Sequence, residues 1–253
     1  MQILLTNDDG ITAPGIQALW NELTSIAEII VVAPDSERSA TSQAITVHQP
    51  IRVDKHCIGH PNICAWRIGG TPTDCVKMAI ESLLDQRPDL VVSGINQGPN
   101  LGTDVLYSGT VSAAIEAVLH GIPAIAISLD SWGNSDFQPA ARFAKKLVGY
   151  MERNSLPPDT LLNVNVPGVK MAKFHGVQIT KLGVRQYDNT FDKRTDPRGR
   201  TYYWMGGKVI DSANDQDTDV VALKSGKISV TPIHFDLTNY AIMDMLKGWN
   251  ISC

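Results

Sequence analysis

The sequence predicts an α/β fold with a doubly wound, mostly parallel sheet. Two observations support this: short apolar runs alternate with segments of helical apolar spacing, and each apolar run ends at a turn signal. Residues 2–6 form the first predicted strand, residues 14–27 carry apolar side chains on one helical face, and residues 29–33 form a second strand that Pro34 ends. A strand–helix–strand unit of about thirty residues is typical of a parallel sheet.

The same alternation continues to residue 167. Further strands are predicted at residues 90–93, 122–128 and 161–166, and helices at residues 73–84, 111–119 and 137–154. Residues 1–167 are therefore expected to form a three-layer, Rossmann-like core with helices on both faces of the sheet.

Residues 168–253 differ in character from this core. They contain predicted strands at 177–182 and 227–230, a stretch rich in Asp, Arg, Gly and Tyr at 185–219, and a short amphipathic helix at 239–249. We expect a C-terminal extension of β-hairpins and an arm with a terminal helix, and long extensions of this kind often mediate subunit contacts. The prediction is one domain over residues 1–253.

Composition excludes several classes of protein. The chain has 253 residues, of which 43% are hydrophobic and 19% charged, and a net charge of −4, which is ordinary for a globular domain. No Lys/Arg run indicates a nucleic-acid-binding face. The apolar runs are too short for a membrane span, and the N-terminus lacks signal-peptide features. The cysteines lack CxxC spacing and are expected to be reduced in a cytoplasmic protein: Cys57, Cys64, Cys75 and Cys253.

Three polar loops follow predicted strand ends, at residues 6–10, 35–39 and 93–100. Ligands bind beyond the carboxyl ends of strands in an open parallel sheet, so these loops are expected at one rim. The first loop contains Asp8 and Asp9, and adjacent carboxylates are unfavourable unless a cation compensates them. Carboxylates with a Ser hydroxyl and an Asn carbonyl suit Mg²⁺ or Mn²⁺. The alternative is a simple turn with capping carboxylates.

Two Gly-containing turns into helices have similar alternatives. Ser108-Gly109-Thr110 could cradle a phosphate with backbone N–H groups, or Ser108 or Thr110 could only cap the helix. The turn at 69–74 has the same capping alternative. The loop after residue 93 carries polar residues that could bind a ligand or only shape the loop: Asn96, Gln97, Asn100 and Thr103.

Several catalytic motifs are absent from the sequence. It has no GxSxG elbow, no GxxxxGK[ST] loop, and no GxGxxG after the first strand. The six His residues show neither HxH nor HExxH spacing, so a zinc protease or cupin site is not supported. The chain is therefore not predicted to be a serine hydrolase of the α/β type, a P-loop enzyme or a dinucleotide-binding protein.

Taken together, several stretches resemble the SurE survival protein family, whose members are metal-dependent 5′-nucleotidases. The matching stretches lie at residues 3–10, 33–40, 70–76, 93–102 and 107–114, with weaker matches at 162–167, 217–219 and 229–232. The resemblance spans nearly the whole chain, and the first block and the 93–114 region are specific in combination.

The resemblance implies one divalent metal ion per subunit, Mg²⁺ or Mn²⁺. Its implied ligands are Asp8, Asp9, Ser39 and Asn96. The implied phosphate-binding residues are Ser108, Gly109 and Thr110, and we expect Asn96 to bind the substrate phosphate as well. The resemblance also implies hydrolysis of nucleoside monophosphates, with 3′-nucleotides and polyphosphate as further candidate substrates. It implies a homodimer or homotetramer assembled through the C-terminal extension, and no nucleic-acid polymer or membrane partner is expected.

The implied catalytic residues are Asp8, Asp9 and Asn96, and the sequence leaves their roles open. Either Asp8 or Asp9 could accept the proton of the attacking water, or a carboxylate could attack phosphorus itself. A second function class is a non-catalytic module that binds a nucleotide or phosphate. A glycosyltransferase-like protein is disfavoured by the lack of a DxD motif in the first loops.

Overall fold

The structure is a computed structural model that describes residues 1–60, 63–133, 135–168, 174–188, 191–210, 214–249 and 251. The strands are β1 (Gln2–Thr6), β2 (Glu28–Pro34), β3 (Val53–Lys55), β4 (Cys64–Ile68), β5 (Leu90–Gln97), β6 (Ala124–Asp130), β7 (Thr160–Pro167), β8 (Val177–Ile179), β9 (Gln186–Asp188), β10 (Phe191–Thr195), β11 (Thr201–Met205), β12 (Lys208–Ile210) and β13 (Ile228–His234). The helices are α1 (Pro14–Leu23), α2 (Pro72–Met78), α3 (Gly109–Leu119), α4 (Gln138–Met151), α5 (Asp219–Lys224) and α6 (Met243–Lys247).

One nine-stranded sheet has the order β3-β4-β2-β1-β5-β6-β7-β13-β8. The central strands from β4 to β7 are parallel, whereas β3 runs antiparallel to β4 and β13 runs antiparallel to β7. Helices α1 and α4 pack on one face and α2 and α3 on the other, each over its own apolar cluster. The predicted three-layer, doubly wound α/β fold is confirmed.

The order of the sheet reverses direction at β1. From β1 the chain builds outward through β2 and β4 on one side, and through β5, β6 and β7 on the other. Thr6 at the end of β1 lies beside Ser93 of β5, so the crevice at this reversal opens directly beyond residue 6. Open α/β sheets bind ligands at such a switch point, which is where Asp8 and Asp9 follow β1.

Two departures from the sequence prediction concern strands. The short strands β3 and β4 were not predicted, because only two residues of β4 are buried and its polar residues hide the alternation. β5 continues to Gln97 instead of ending at Ser93, with a register shift between Gly94 and Asn96. Gly94 indicated a turn, but a side chain there would meet the Ile127 carbonyl oxygen at 2.2 Å, so the glycine permits close strand approach.

The C-terminal extension adds to the sheet and also projects from it. β13 pairs with β7 and β8 pairs with β13, while β10–β11 and β9–β12 form two separate two-stranded ribbons. α5 was not predicted, and the helix expected at 239–249 is a 3₁₀ turn at Tyr240–Ile242 followed by α6. Residues 189–190 and 211–213 of the predicted arm lie outside the described residues.

The sequence predicts no membrane span and reduced cysteines. No helix in the described part of the chain is long and apolar enough to span a bilayer. Cys57, Cys64 and Cys75 carry free thiols, whereas Cys253 lies outside the described residues.

Asp219, at the start of α5, anchors the extension to the core. Its fully buried carboxylate accepts backbone N–H bonds from Gly102, Gly183 and Val220, each at 2.8 Å. Because Asp219→Asn places an N–H₂ group against these donors, we expect a loss of unfolding free energy of at least about 2 kcal/mol in urea denaturation. The control is Asp217→Asn, whose exposed pair with Lys181 should contribute little. Equal losses in the two variants would contradict the role assigned to Asp219.

Candidate active site

The loop after β1 is held in shape by Asn7. The fully buried Asn7 side chain donates to the Gly10 carbonyl at 2.9 Å and accepts the Gly10 N–H at 3.2 Å. Gly10 has a φ of 99°, a conformation that a glycine adopts without strain. This local turn fixes the direction in which Asp8 and Asp9 leave the sheet.

Asp8 is buried at the point where three segments of the chain meet. Its side chain is 5% exposed, and its Oδ1 accepts the Thr110 hydroxyl at 2.6 Å. Its backbone carbonyl accepts the Arg38 N–H at 2.7 Å, which attaches the loop after β2. A Cβ on Gly109 would lie 2.9 Å from Asp8 Cβ, so only a glycine lets α3 approach this closely. The ends of β1, β2 and α3 therefore meet at Asp8.

Asp9 is half-buried beside Asp8. Burial, the Asp8 charge and the Glu37 charge raise the pKa of Asp9 to about 7, against a backbone hydrogen bond from Gln97 that lowers it. Burial also raises the pKa of Asp8, although bonds from Thr110 oppose this. No basic side chain in the described part of the chain lowers the pKa of either carboxyl. The pair thus carries an unfavourable negative charge that a cation would compensate.

The residues at the start of α3 cap this helix and also donate hydrogen bonds to Asp8. Ser108 is the N-cap, and its buried hydroxyl accepts the Val111 N–H at 3.1 Å. Thr110 bonds Asp8 through both its hydroxyl and its backbone N–H. Within the predicted Ser108-Gly109-Thr110 phosphate cradle, Asp8 therefore uses the Thr110 N–H but not the Gly109 N–H. The assignment of Ser108 and Thr110 to substrate phosphate stays a prediction.

The other two predicted ligands lie on the neighbouring strand ends. Ser39 is exposed, and its hydroxyl donates to Glu37 Oε1 at 2.6 Å. The Asn96 Nδ2 donates to the Gly98 carbonyl at 2.8 Å, which leaves the Asn96 Oδ1 as the group suited to a cation. Ser39 lies in the loop that Arg38 joins to Asp8, and Asn96 lies one residue before the Gln97 N–H that bonds Asp9.

Asn100 and Glu37 have surroundings that the sequence did not predict. Asn100 was a candidate ligand-binding residue, but its backbone N–H and carbonyl bond the buried Asn163 and Asn165 side chains, and its own amide donates to Ser128. These bonds fix the loop after β5 to β6 and β7. Glu37 was missed, although its position two residues before Ser39 placed it in a loop already assigned to the rim.

The donor set fits a hard divalent cation. Asp8, Asp9, Ser39 and Asn96 offer oxygen atoms alone, which Mg²⁺ and Mn²⁺ prefer. Within the described residues no three His, Cys, Asp or Glu side chains cluster as metal ligands, so a cation here depends on the neutral oxygens of Ser39 and Asn96 as well as on the carboxylates. Both carboxyls have a raised pKa, and no basic side chain among the described residues offsets their charge, which supports this fit.

The raised pKa of Asp9 predicts a pH-dependent cost in the metal-free protein. Between pH about 4 and about 7 the folded chain holds a proton that the unfolded chain has released, so stability falls as the pH rises through this window. In EDTA, Asp9→Asn should therefore raise the Tm relative to the wild type at pH 8, and this difference should shrink towards pH 5. A Tm difference that is constant across this range would contradict the shift.

The chain is similar to proteins of one family over almost its whole length. The model of the family described as "Survival protein SurE" matches residues 3–189. The 5′-nucleotidase SurE of Heliobacterium modesticaldum is 57% identical over 98% of this chain and 92% of that protein, and that of Desulforudis audaxviator is 54% identical over 99% and 98%. The crystal structure of the SurE protein from Aquifex aeolicus superposes with a TM-score of 0.86 at 38% identity, covering 99% of this chain and 100% of that one. The chain therefore belongs to the SurE survival protein family.

Proposed function

We propose that this chain is a divalent-metal-dependent 5′-nucleotidase that hydrolyses nucleoside monophosphates to nucleoside and phosphate. The observation that carries the proposal is the Asp8-Asp9 pair, with Asp8 buried and Asp9 half-buried, at the switch point of the sheet and against the start of α3. The relatives named 5′-nucleotidase SurE, which align over almost the whole chain, support the substrate class.

The proposed metal ligands are Asp8, Asp9, Ser39 and Asn96, with Mg²⁺ or Mn²⁺ as the ion. When bound, the ion supplies Lewis-acid polarisation of the phosphate and lowers the pKa of a nearby water. Asp9 has a raised pKa, whereas Asp8 is buried and accepts two hydrogen bonds from Thr110. These differences indicate different tasks for the two carboxylates.

Asp9 is the better placed proton acceptor. Asp8 is buried and already accepts the hydroxyl and N–H of Thr110, whereas Asp9 is half-exposed and accepts one backbone N–H, from Gln97. We therefore assign removal of the water proton to Asp9 and positioning to Asp8. The Asn96 amide and the Gly109 N–H would contact the phosphate oxygens as negative charge grows there.

The competing route passes through an aspartyl-phosphate. A single turnover with substrate labelled at phosphorus, quenched in acid, separates the two: the covalent route leaves label on the protein as an acyl phosphate, whereas direct attack by water leaves it only in free phosphate. We expect no label on the protein. An acyl phosphate on Asp8 or Asp9 would contradict the assignment of Asp9 as base.

The proposed activity is tested by phosphate release. Wild-type protein treated with EDTA is given a nucleoside 5′-monophosphate, with and without added Mn²⁺ or Mg²⁺, and free phosphate is measured. We expect release only with the ion. Tight nucleotide binding without phosphate release would instead support the non-catalytic binding module. A panel that includes 3′-nucleotides and polyphosphate tests these further candidate substrates.

We propose that residues 1–253 form a single domain in which residues 168–253 also assemble the chain into a homodimer or homotetramer. The β10–β11 ribbon is exposed along its whole length and carries aromatic side chains, including Tyr203 and Trp204. Leu237 and Trp249 in the terminal segment are similarly exposed. Exposed apolar surface of this extent indicates an interface.

Light scattering of the full chain should give two or four subunits, and a monomer at micromolar concentration would contradict the proposal.

A further inference from the structure

Trp132 is a large aromatic side chain that is exposed to solvent at the rim of the candidate site. It follows the end of β6, the strand next to β5, and its side chain is 77% exposed. An indole ordinarily buries much of its surface, so an exposed one beside a ligand site needs a reason.

The position of the Trp132 ring is set by the strand end that carries Asn96. A Cβ built on Gly98 would lie 2.8 Å from Trp132 Cη2, so one edge of the indole rests against the Gly98 backbone. The Gln97 side chain donates to the Gly133 carbonyl at 2.8 Å and joins the loop after β6 to the same segment. Trp132 is therefore held in place by its neighbours although most of its surface is open.

The distance from the site suits a nucleotide. The Asn96 amide donates to the Gly98 carbonyl at 2.8 Å, and covalent geometry then places the indole edge within roughly 10 Å of that amide. The phosphate and base of a nucleoside monophosphate are separated by one ribose, which is a comparable span. A phosphate at Asn96 can thus have its base at Trp132.

We infer that Trp132 stacks against the base of the nucleoside monophosphate and forms the nucleobase subsite. The inference rests on the proposed function. Every base offers a π face to an aromatic ring, so stacking binds nucleotides without selecting strongly among the bases. Purines, with the larger face, should gain more from the contact than pyrimidines.

Two other locations compete for the base. Beyond β2 and β4 lies a cleft of about 570 Å³ whose lining includes three arginines and two aspartates. Two of the arginines, Arg38 and Arg67, are paired with these aspartates, and such charged walls suit a polar group better than an apolar ring face. Tyr107, immediately before the α3 cap, is 65% exposed and is a smaller aromatic surface. Both alternatives can be tested in the same experiment.

The experiment compares kcat/KM for adenosine 5′-monophosphate with kcat/KM for ribose 5-phosphate, which keeps the sugar and phosphate but lacks the base. Loss of a stacked base should lower the ratio of these two constants about 5- to 150-fold in Trp132→Ala, mostly through KM. Trp132→Phe should restore most of the ratio. The control is Tyr150→Ala, an exposed aromatic on α4 whose ring lies beside Lys146 and Arg153, and it should leave the ratio unchanged.

The possible results separate this inference from the proposed function. If both substrates are cleaved and Trp132→Ala leaves the ratio unchanged, the base subsite is overturned while the nucleotidase stands. A fall in the ratio confined to Arg52→Gln or to Tyr107→Ala would place the base elsewhere and overturn the inference as well. A wild-type chain inert towards both substrates in Mn²⁺ would overturn the proposed function and this inference with it.

Discussion

Asp9→Asn is expected to lower kcat/KM for nucleoside monophosphates at least about 100-fold in saturating Mn²⁺, since general-base catalysis alone typically contributes that much. The substitution removes one charge of the Asp8-Asp9 pair and the proton acceptor that we assign to the reaction. The fold should persist, because Asp9 is half-exposed and its neutral replacement relieves repulsion from Asp8 and Glu37.

Steady-state phosphate release measures this effect, and the Asp9→Asn variant has a matched control in Asp217→Asn. Asp217 is an exposed carboxylate paired with Lys181 in the extension, so its loss should leave turnover unchanged. A wild-type rate for Asp9→Asn in saturating Mn²⁺ would contradict both the metal assignment and the role of Asp9.

Gly109→Ala is expected to lower kcat/KM about 10- to 100-fold, because active-site displacements of about 1 Å carry penalties of that size. The new methyl group would lie 2.9 Å from Asp8 Cβ and 3.2 Å from Pro72 Cγ, so either Asp8 or the start of α3 must move. Since Thr110 holds Asp8 through two bonds, moving α3 also moves the carboxylate. The overpacking should reduce unfolding free energy by about 1–3 kcal/mol, leaving a folded chain.

Gly149→Ala provides the control for Gly109→Ala. Gly149 lies within α4, and a methyl group there meets nothing closer than Arg153 at 3.8 Å. Alanine should stabilise this helix by about 0.5–1 kcal/mol without changing turnover. If Gly109→Ala behaves like Gly149→Ala in kinetics, the contact between α3 and Asp8 does not position the site.

The parts of the fold that sequence predicted well have strong local patterns. β1, β2 and β7 are almost wholly buried, so they appear as continuous apolar runs, and the turns after them are marked by polar residues or proline. The position of Asp8 and Asp9 at the rim follows from topology alone, because they come directly after the first strand of a parallel sheet. β3, β4 and α5 are short, and tertiary pairing stabilises them more than their own sequence does.

The partners within the site were beyond sequence reasoning. Thr110 was predicted to cap a helix or bind phosphate, but it bonds Asp8, 102 residues away in the chain. Asn100 lies among functional-looking residues, yet Asn163 and Asn165 engage it from β7. The residue types indicated polar chemistry, whereas only the packing of α3 and β7 against the strand ends decides which polar group meets which.

The measurement that tests the central claim most directly is the location of the ion. Crystals grown with Mn²⁺ and measured at the manganese absorption edge should give an anomalous peak per chain bounded by the oxygens of four residues: Asp8, Asp9, Ser39 and Asn96. The same crystals of Asp9→Asn should lose most of that peak. A fully active wild-type enzyme whose manganese binds elsewhere, with no peak beside Asp8 and Asp9, would contradict the account.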